Sequence, residues 1–227
     1  MKRNKVMVSA AIVGLLFAGI SAEAGFGIKV PAVSGGGGGD ISGLKSNLTK
    51  MTGDVTKQCS LARSLFKESY AELALALDLK EESNKLRSEA KSLKSGNTSV
   101  SDLKKKKVIS QETEALIQKK LKEVKDPTPE QKKHFWNAVN LLTKGLATET
   151  AQIHIAVQLG EKAKEITEKA SGLDKAAAVA VAKPALDLAL MVPADVKQAT
   201  AVLATLTKYA SERGLKAPTG DKADDLI

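Results

Sequence analysis

A glycine-rich stretch followed by a lysine and a serine is the segment of this sequence that comes closest to a chemical motif. It reads SGGGGGDISGLKS over residues 34–46. A phosphate-binding P-loop has the pattern G-x-x-x-x-G-K-[ST], but here Leu44 separates Gly43 from Lys45, which turns the lysine about 100° around a helix. No neighbouring parallel strands are predicted, and a P-loop needs them. We therefore interpret the glycines as a flexible linker and predict no nucleotide or other cofactor.

Metal-binding and nucleophilic residues are few and widely spaced. His134 and His154 form neither an H-x-x-x-H nor an E-x-x-H pattern, and Cys59 is the single cysteine. A zinc or di-iron site needs a larger set of ligands, so we predict neither metal-binding nor catalytic residues. Glu130 precedes His134 by four residues, which indicates a local helix pair. Cys59 falls on an apolar helix face and is predicted to be buried, with an intermolecular disulfide as the alternative.

Positive charge is concentrated in the middle of the chain. Residues 80–133 contain fifteen basic and nine acidic residues. The densest run is Lys104, Lys105, Lys106 and Lys107. Consecutive lysines on one helix would point all around its axis, so the simpler interpretation is a solvated surface. The alternative is contact with an anionic surface such as lipid head groups. Nucleic acid is not expected, because no aromatic residues or arginine clusters accompany the lysines.

The N-terminal residues have the pattern of a signal peptide. Three basic residues precede an apolar run over residues 6–20, and Ala22-Glu23-Ala24 has the small-x-small pattern of a cleavage site. The pattern predicts cleavage after Ala24 and a periplasmic or secreted protein. The apolar run has 15 residues, whereas a membrane span needs about 20. A single cysteine favours a bacterial envelope over a eukaryotic secreted protein, which would more often carry disulfides.

The rest of the chain is predicted to be all-α. We expect an elongated antiparallel bundle of about five to six helices over residues 41–214, after a flexible arm and linker over 25–40 and before a disordered tail over 215–227. The predicted helices run from residue 41 to a turn at 78–81, from there to Gly96, from a capping box at Ser99 to about residue 124, and from Thr128 to Gly172. Pro184 and Pro193 are expected to split the following apolar segment into short pieces before a last helix over 194–213.

Two short segments suggest partners. Apolar residues alternate along the predicted arm at Phe26, Ile28 and Val30, which could dock on a partner protein. The residues Thr128-Pro129-Glu130-Gln131 resemble part of the L-T-x-x-Q signature of the small periplasmic stress chaperones of the Spy type, which are also basic, helical and exported. Pro127 stands at the leucine position, and the four-residue match occurs once.

Together these features predict an exported, non-catalytic protein with a binding or structural role in the bacterial cell envelope. Its expected partner is an envelope protein or an anionic envelope surface. One alternative is a periplasmic lipid- or client-binding module of chaperone-like character. A second alternative is a helical toxin that inserts the apolar segment over residues 176–192 into a membrane. Because Lys183, Pro184 and Asp187 interrupt that segment, no transmembrane span is expected after signal cleavage.

Overall fold

The computed structural model describes residues 41–95, 98–172 and 174–217. All of the regular secondary structure in these ranges is α-helical, which confirms the predicted all-α bundle. The helices are α1 (Ile41–Ala76), α2 (Lys80–Lys94), α3 (Val100–Lys105), α4 (Gln111–Glu123), α5 (Pro129–Thr150), α6 (Ile153–Lys169) and α7 (Asp174–Glu212). The predicted signal peptide, the glycine linker, the arm with Phe26, Ile28 and Val30, and residues after 217 lie outside the described ranges.

Three long rods form the bundle: α1, the consecutive helices α5 and α6, and α7. The first half of α1 packs with α6 and the first half of α7, while its second half packs with α5 and the end of α7. The α5–α6 rod therefore runs antiparallel to α1 and α7, which are parallel to each other. An ion pair of 3.0 Å between Lys45 and Asp174 joins the first turns of α1 and α7. Helix α2 returns along α1, and α3 and α4 connect it to α5.

Within the described ranges, the apolar side chains form two clusters rather than one continuous core. The larger core joins residues 62–77 of α1 to α2, α4, α5 and residues 199–215. The smaller core joins residues 48–59 of α1 to α3, α6 and residues 178–192 of α7. The predicted stripe along α1 is thus divided between two cores, and the boundary falls between Cys59 and Ala62.

Local capping chemistry sets several helix ends where the sequence predicts them. The capping boxes at Ser99 and Thr128 are both formed, with reciprocal hydrogen bonds to Asp102 and Gln131. Gly214 has a φ of +60°, and the Leu215 amide donates to the Ala210 carbonyl at 2.9 Å, as in a Schellman motif. Leu215 is buried in the larger core, so the chain stays packed to this residue.

Two predicted continuous helices are interrupted. The predicted third helix breaks at residues 106–110, where Lys106 leaves the helical conformation with φ −91° and ψ 83° and Ser110 caps α4. The bend buries Val108 and Ile109 together in the larger core. The predicted fourth helix breaks at Ala151 and Gln152, where the Gln152 amide donates to the Glu149 carbonyl, three residues back, at 3.0 Å.

The prediction that Pro184 and Pro193 split the last apolar segment is wrong, because α7 is one helix of 39 residues. Pro184 is half-buried and Pro193 is exposed. Each proline lacks the amide hydrogen that would bond four residues back, and these positions leave the freed carbonyls near solvent. The opposite face of α7 continues through both cores without a change of register. Burial of each large apolar side chain stabilises the helix by about 1.5–3 kcal/mol, and several such side chains offset the cost of about 3 kcal/mol per proline.

Gly145 allows α5 to approach α1 closely. A Cβ at this position would lie 2.7 Å from the Phe66 ring and 3.1 Å from the Ala62 carbonyl oxygen. Gly160 has a similar role in α6, where a Cβ would lie 3.2 Å from the Cβ of Ala189. At both positions the absence of a Cβ therefore permits a close helix crossing.

We expect Gly145→Ala to lower the free energy of unfolding by about 1–3 kcal/mol, since the added methyl group overpacks the contact with Phe66. Gly53→Ala is the matched control, because a Cβ at Gly53 meets nothing within 4 Å. It should stabilise α1 by up to about 1 kcal/mol. Urea unfolding followed by circular dichroism measures both changes. Equal effects of the two substitutions would contradict the close approach.

Candidate functional site

A surface pocket of about 260 Å³ lies between the α3–α4 bend and the middle of α7. Its basic residues are Arg63, Lys104 and Lys107, and its apolar residues are Val108, Leu190 and Met191. Asp187, Asp195 and Gln198 complete the lining. Leu190 is the most solvent-exposed of the large hydrophobic residues in the described ranges, at 76%. We call Lys104, Lys107, Leu190 and Met191 the lysine–leucine site.

The bend gives the four consecutive lysines different surroundings. Lys104 lines the pocket and pairs with Asp187 at 2.7 Å. Lys106 turns towards α2, where its ammonium group donates to the Ser92 hydroxyl at 3.0 Å. Lys107 lines the pocket, and among the described residues no carboxylate forms an ion pair with it or with Lys105. The expectation that the four lysines share one helix is wrong, because the helix ends at Lys105. All four side chains are nevertheless exposed, in agreement with a solvated surface.

Arg63 forms the floor of the pocket and holds its walls together. Its side chain is 3% exposed. Its Nε donates a hydrogen bond of 2.6 Å to the Oδ2 atom of Asp195 in α7, and its Nη2 lies 2.6 Å from the same oxygen in an ion pair. The guanidinium group also donates to the carbonyl oxygens of Leu103 and Lys106 at the end of α3. In a continuous helix those carbonyls would accept from amides four residues later. The side chain of Arg63 therefore replaces helical hydrogen bonds and stabilises the bend that carries Lys104 and Lys107.

Arg63 belongs to a buried polar layer between the two cores. We define the polar layer as Arg63, Glu149 and Asp195. Glu149 and Asp195 lie between the segments of their rods that enter the two cores, and Arg63 follows Ala62, where the larger core begins in α1. Burial raises the pKa of Asp195, and the ion pair with Arg63 opposes this shift. Burial also raises the pKa of Glu149 to about 8, with a further contribution from the negative charge of Asp195. Glu149 is therefore mostly protonated at neutral pH.

The other residues singled out from the sequence occupy structural positions. Lys45, from the P-loop-like stretch, pairs with Asp174, and Cys59 is fully buried as predicted. The His134 ring lies 2.7 Å from Glu72 of α1 and not in the expected pair with Glu130. His154 contacts Gln158. No group of three or more potential metal-ligating residues occurs within the described part of the chain.

Helix α7 is the described helix that is long and apolar enough to cross a membrane by length and composition. Only 28% of its most apolar 18-residue window is buried in the bundle. Val179 and Leu190 of α7 are exposed, and so is Val157 of α6. The pair of helices α6 and α7 therefore presents more aliphatic surface to solvent than its role in the smaller core requires.

Arg63, Asp195 and Glu149 could not be identified as a group from the sequence. Arg63 and Glu149 lie among ordinary helical residues, and Asp195 follows a proline near the start of a predicted helix. The usable signal is that Arg63 follows Cys59 and Ala62 on the inner face of α1. A charged residue so close to an apolar stripe indicates a buried partner, but its identity depends on which helices pack together.

Comparisons with known proteins do not assign this chain to a family. No protein-family model, no curated protein and no solved structure matches it. The function proposed below consequently rests on the residues of the site and on the predicted export of the chain.

We expect Arg63→Met to lower the free energy of unfolding by about 3–5 kcal/mol, because Asp195 and two carbonyl groups would stay buried without their donor. Arg87→Met is the matched control, since it removes a half-exposed ion pair with Glu72 and should cost less than about 1 kcal/mol. Arg63→Lys keeps the charge but loses the planar fork, so its cost should lie between the two. Urea unfolding measures the stability of all three variants. An equal loss in the free energy of unfolding for Arg63→Met and Arg87→Met would contradict the role of Arg63.

Proposed function

We propose that this chain is an exported, non-catalytic protein of the bacterial cell envelope that binds anionic lipid surfaces through the lysine–leucine site. The observation that carries the proposal is the position of Leu190, a large aliphatic side chain held in solvent beside Lys104 and Lys107. Peripheral membrane proteins combine these two elements, because cations attract the lipid phosphates and an apolar side chain enters the head-group region.

The charge of the site supports an anionic partner. Lys104 and Asp187 compensate each other, and so do Arg63 and Asp195, which leaves the Lys107 charge as the excess. Lys105, which follows Lys104 in sequence and is exposed, adds a further positive charge. Because the Lys104–Asp187 pair is half-exposed, it contributes little to stability, and Lys104 is available to a lipid phosphate.

A second candidate function is membrane insertion of the α6–α7 hairpin, and the observation that favours it is the exposed apolar window of α7. The two functions differ in their response to salt. Attraction between lysines and phosphates is screened by salt, whereas insertion of aliphatic side chains is not. The vesicle experiment below separates them.

We expect the protein to sediment with vesicles of phosphatidylglycerol and not with vesicles of phosphatidylcholine. The double substitution Lys104→Glu and Lys107→Glu should weaken this binding about tenfold or more, given about 1 kcal/mol per basic residue near an anionic surface. Leu190→Ser should weaken it at constant charge. Lys144→Glu, an exposed lysine of α5, is the matched control and should have a much smaller effect.

Three results would count against surface binding at this site. The first is equal binding to both vesicle types. The second is an equal loss of vesicle binding in the Lys104/Lys107 double variant and in Lys144→Glu. The third is vesicle binding that persists unchanged in concentrated salt. The last result, together with protection of α7 from protease by the vesicles, would instead favour insertion of the hairpin.

Export is tested separately. We expect the full-length chain to be processed when it is expressed in a bacterium with a periplasm, and the mature protein to begin at Gly25. N-terminal sequencing of the protein from the periplasmic fraction measures this. An Ala24→Asp variant should remain unprocessed, because the cleavage site requires a small residue. Recovery of an intact N-terminus in the cytoplasm would contradict export.

A further inference from the structure

The helical hairpin over residues 153–192 joins the rest of the bundle at two weak points. At one end, α5 and α6 meet at Ala151 and Gln152, where a three-residue hydrogen bond interrupts the helical pattern. At the other end, Pro193 has no amide hydrogen to donate to the Ala189 carbonyl. Both points lie at the level of the polar layer. Glu149 is two residues before Ala151, and Asp195 is two residues after Pro193. A rotation at these two points would move the hairpin relative to the rest of the bundle.

Glu149 lies between these two points without a suitable partner. Its side chain is 0% exposed, and no N–H or O–H of the described residues donates to either carboxyl oxygen. The charged and titratable groups that face it are Cys59 and Arg63 from α1 and Asp195 from α7. The Cys59 thiol is a weak donor, and Arg63 is already bonded to Asp195 and two carbonyls. The Oε1 atom of the neighbouring Gln152 is also buried without a donor.

A carboxyl group in this position is tolerated as the neutral acid and not as the carboxylate. Ionisation would place a second negative charge beside Asp195 in a fully buried position. Opening the hairpin would hydrate the carboxylate and remove this cost. We propose that Glu149 is a proton-operated latch, whose protonated carboxyl keeps the hairpin closed and whose loss of the proton to solvent releases it. This inference does not depend on lipid binding.

The direction of the pH dependence follows from the raised pKa of Glu149. The closed protein holds the proton up to about pH 8, whereas an exposed glutamic acid loses it near pH 4.3. Between these values the closed form binds more protons than the open form, so closure weakens as the pH rises. The opening equilibrium should increase about tenfold per pH unit between roughly pH 5 and pH 8, and it should level off above that range.

Cys59 provides the probe for opening, because it is the one cysteine of the sequence and is fully buried beside Glu149. Burial and the Glu149 carboxyl raise the pKa of this thiol, so iodoacetamide should react with it only after opening. Alkylation rates are measured from pH 6 to pH 9 in the wild-type protein and in Glu149→Gln. Dividing the wild-type rate by the variant rate at each pH removes the contribution from titration of the thiol itself. The quotient should rise about tenfold per pH unit up to pH 8.

Further variants keep the outcome decisive. Glu149→Leu replaces Glu149→Gln if the buried amide prevents folding, and its alkylation rate should follow the titration of the thiol alone. Glu72→Gln removes a carboxyl group that is paired with His134 and Arg87 outside the polar layer, so it should keep the wild-type dependence. Hydrogen exchange must lose protection over residues 153–192 before residues 62–77. A constant quotient, or loss of protection in both segments together, would overturn the latch.

Discussion

The ion pair between Arg63 and Asp195 is the interaction on which the rest of this bundle depends. It joins α1 to α7 at the boundary between two apolar cores, and Arg63 also captures two carbonyl groups of α3. Apolar helix faces by themselves specify register poorly, since aliphatic side chains accept many alternative packings. A guanidinium group with fixed acceptors in two other helices leaves one alignment in which no charge is buried unpaired. The polar layer therefore fixes the alignment of the helices relative to one another, and with it the position of the two cores.

The same interaction connects the interior of the protein to its surface. The α3–α4 bend exists because Arg63 satisfies the carbonyls of Leu103 and Lys106, which the interrupted helix no longer does. The bend places Lys104 and Lys107 beside Leu190 and points Lys106 away from them. A buried polar group thus determines which of four chemically identical side chains share a surface with an exposed aliphatic residue. Glu149, in the same layer, is the member whose carboxyl oxygens accept from no N–H or O–H group of the described residues.

The helices and their ends were largely predictable because they depend on local chemistry. The capping boxes at Ser99 and Thr128 and the Schellman motif at Gly214 need only residues close in sequence. The continuity of α7 through Pro184 and Pro193 and the breaks at residues 106–110 and 151–152 were predicted wrongly. At the prolines of α7 and at residues 106–110, contacts with distant helices outweigh a local cost or preference of a few kcal/mol. The pocket and the polar layer were not predictable, because their members come from different helices.

The sequence by itself determined that the described chain is helical, that its apolar stripes form the core and that Cys59 is buried. These properties follow from the spacing of apolar residues along each helix, which is a local quantity. Only the tertiary structure decided that two cores replace one, that Arg63 meets Asp195 across 132 positions of sequence, and that Glu149 stays neutral between them. Such pairings depend on how the helices align, and the alignment is fixed by complementary groups that have no pattern within any single helix.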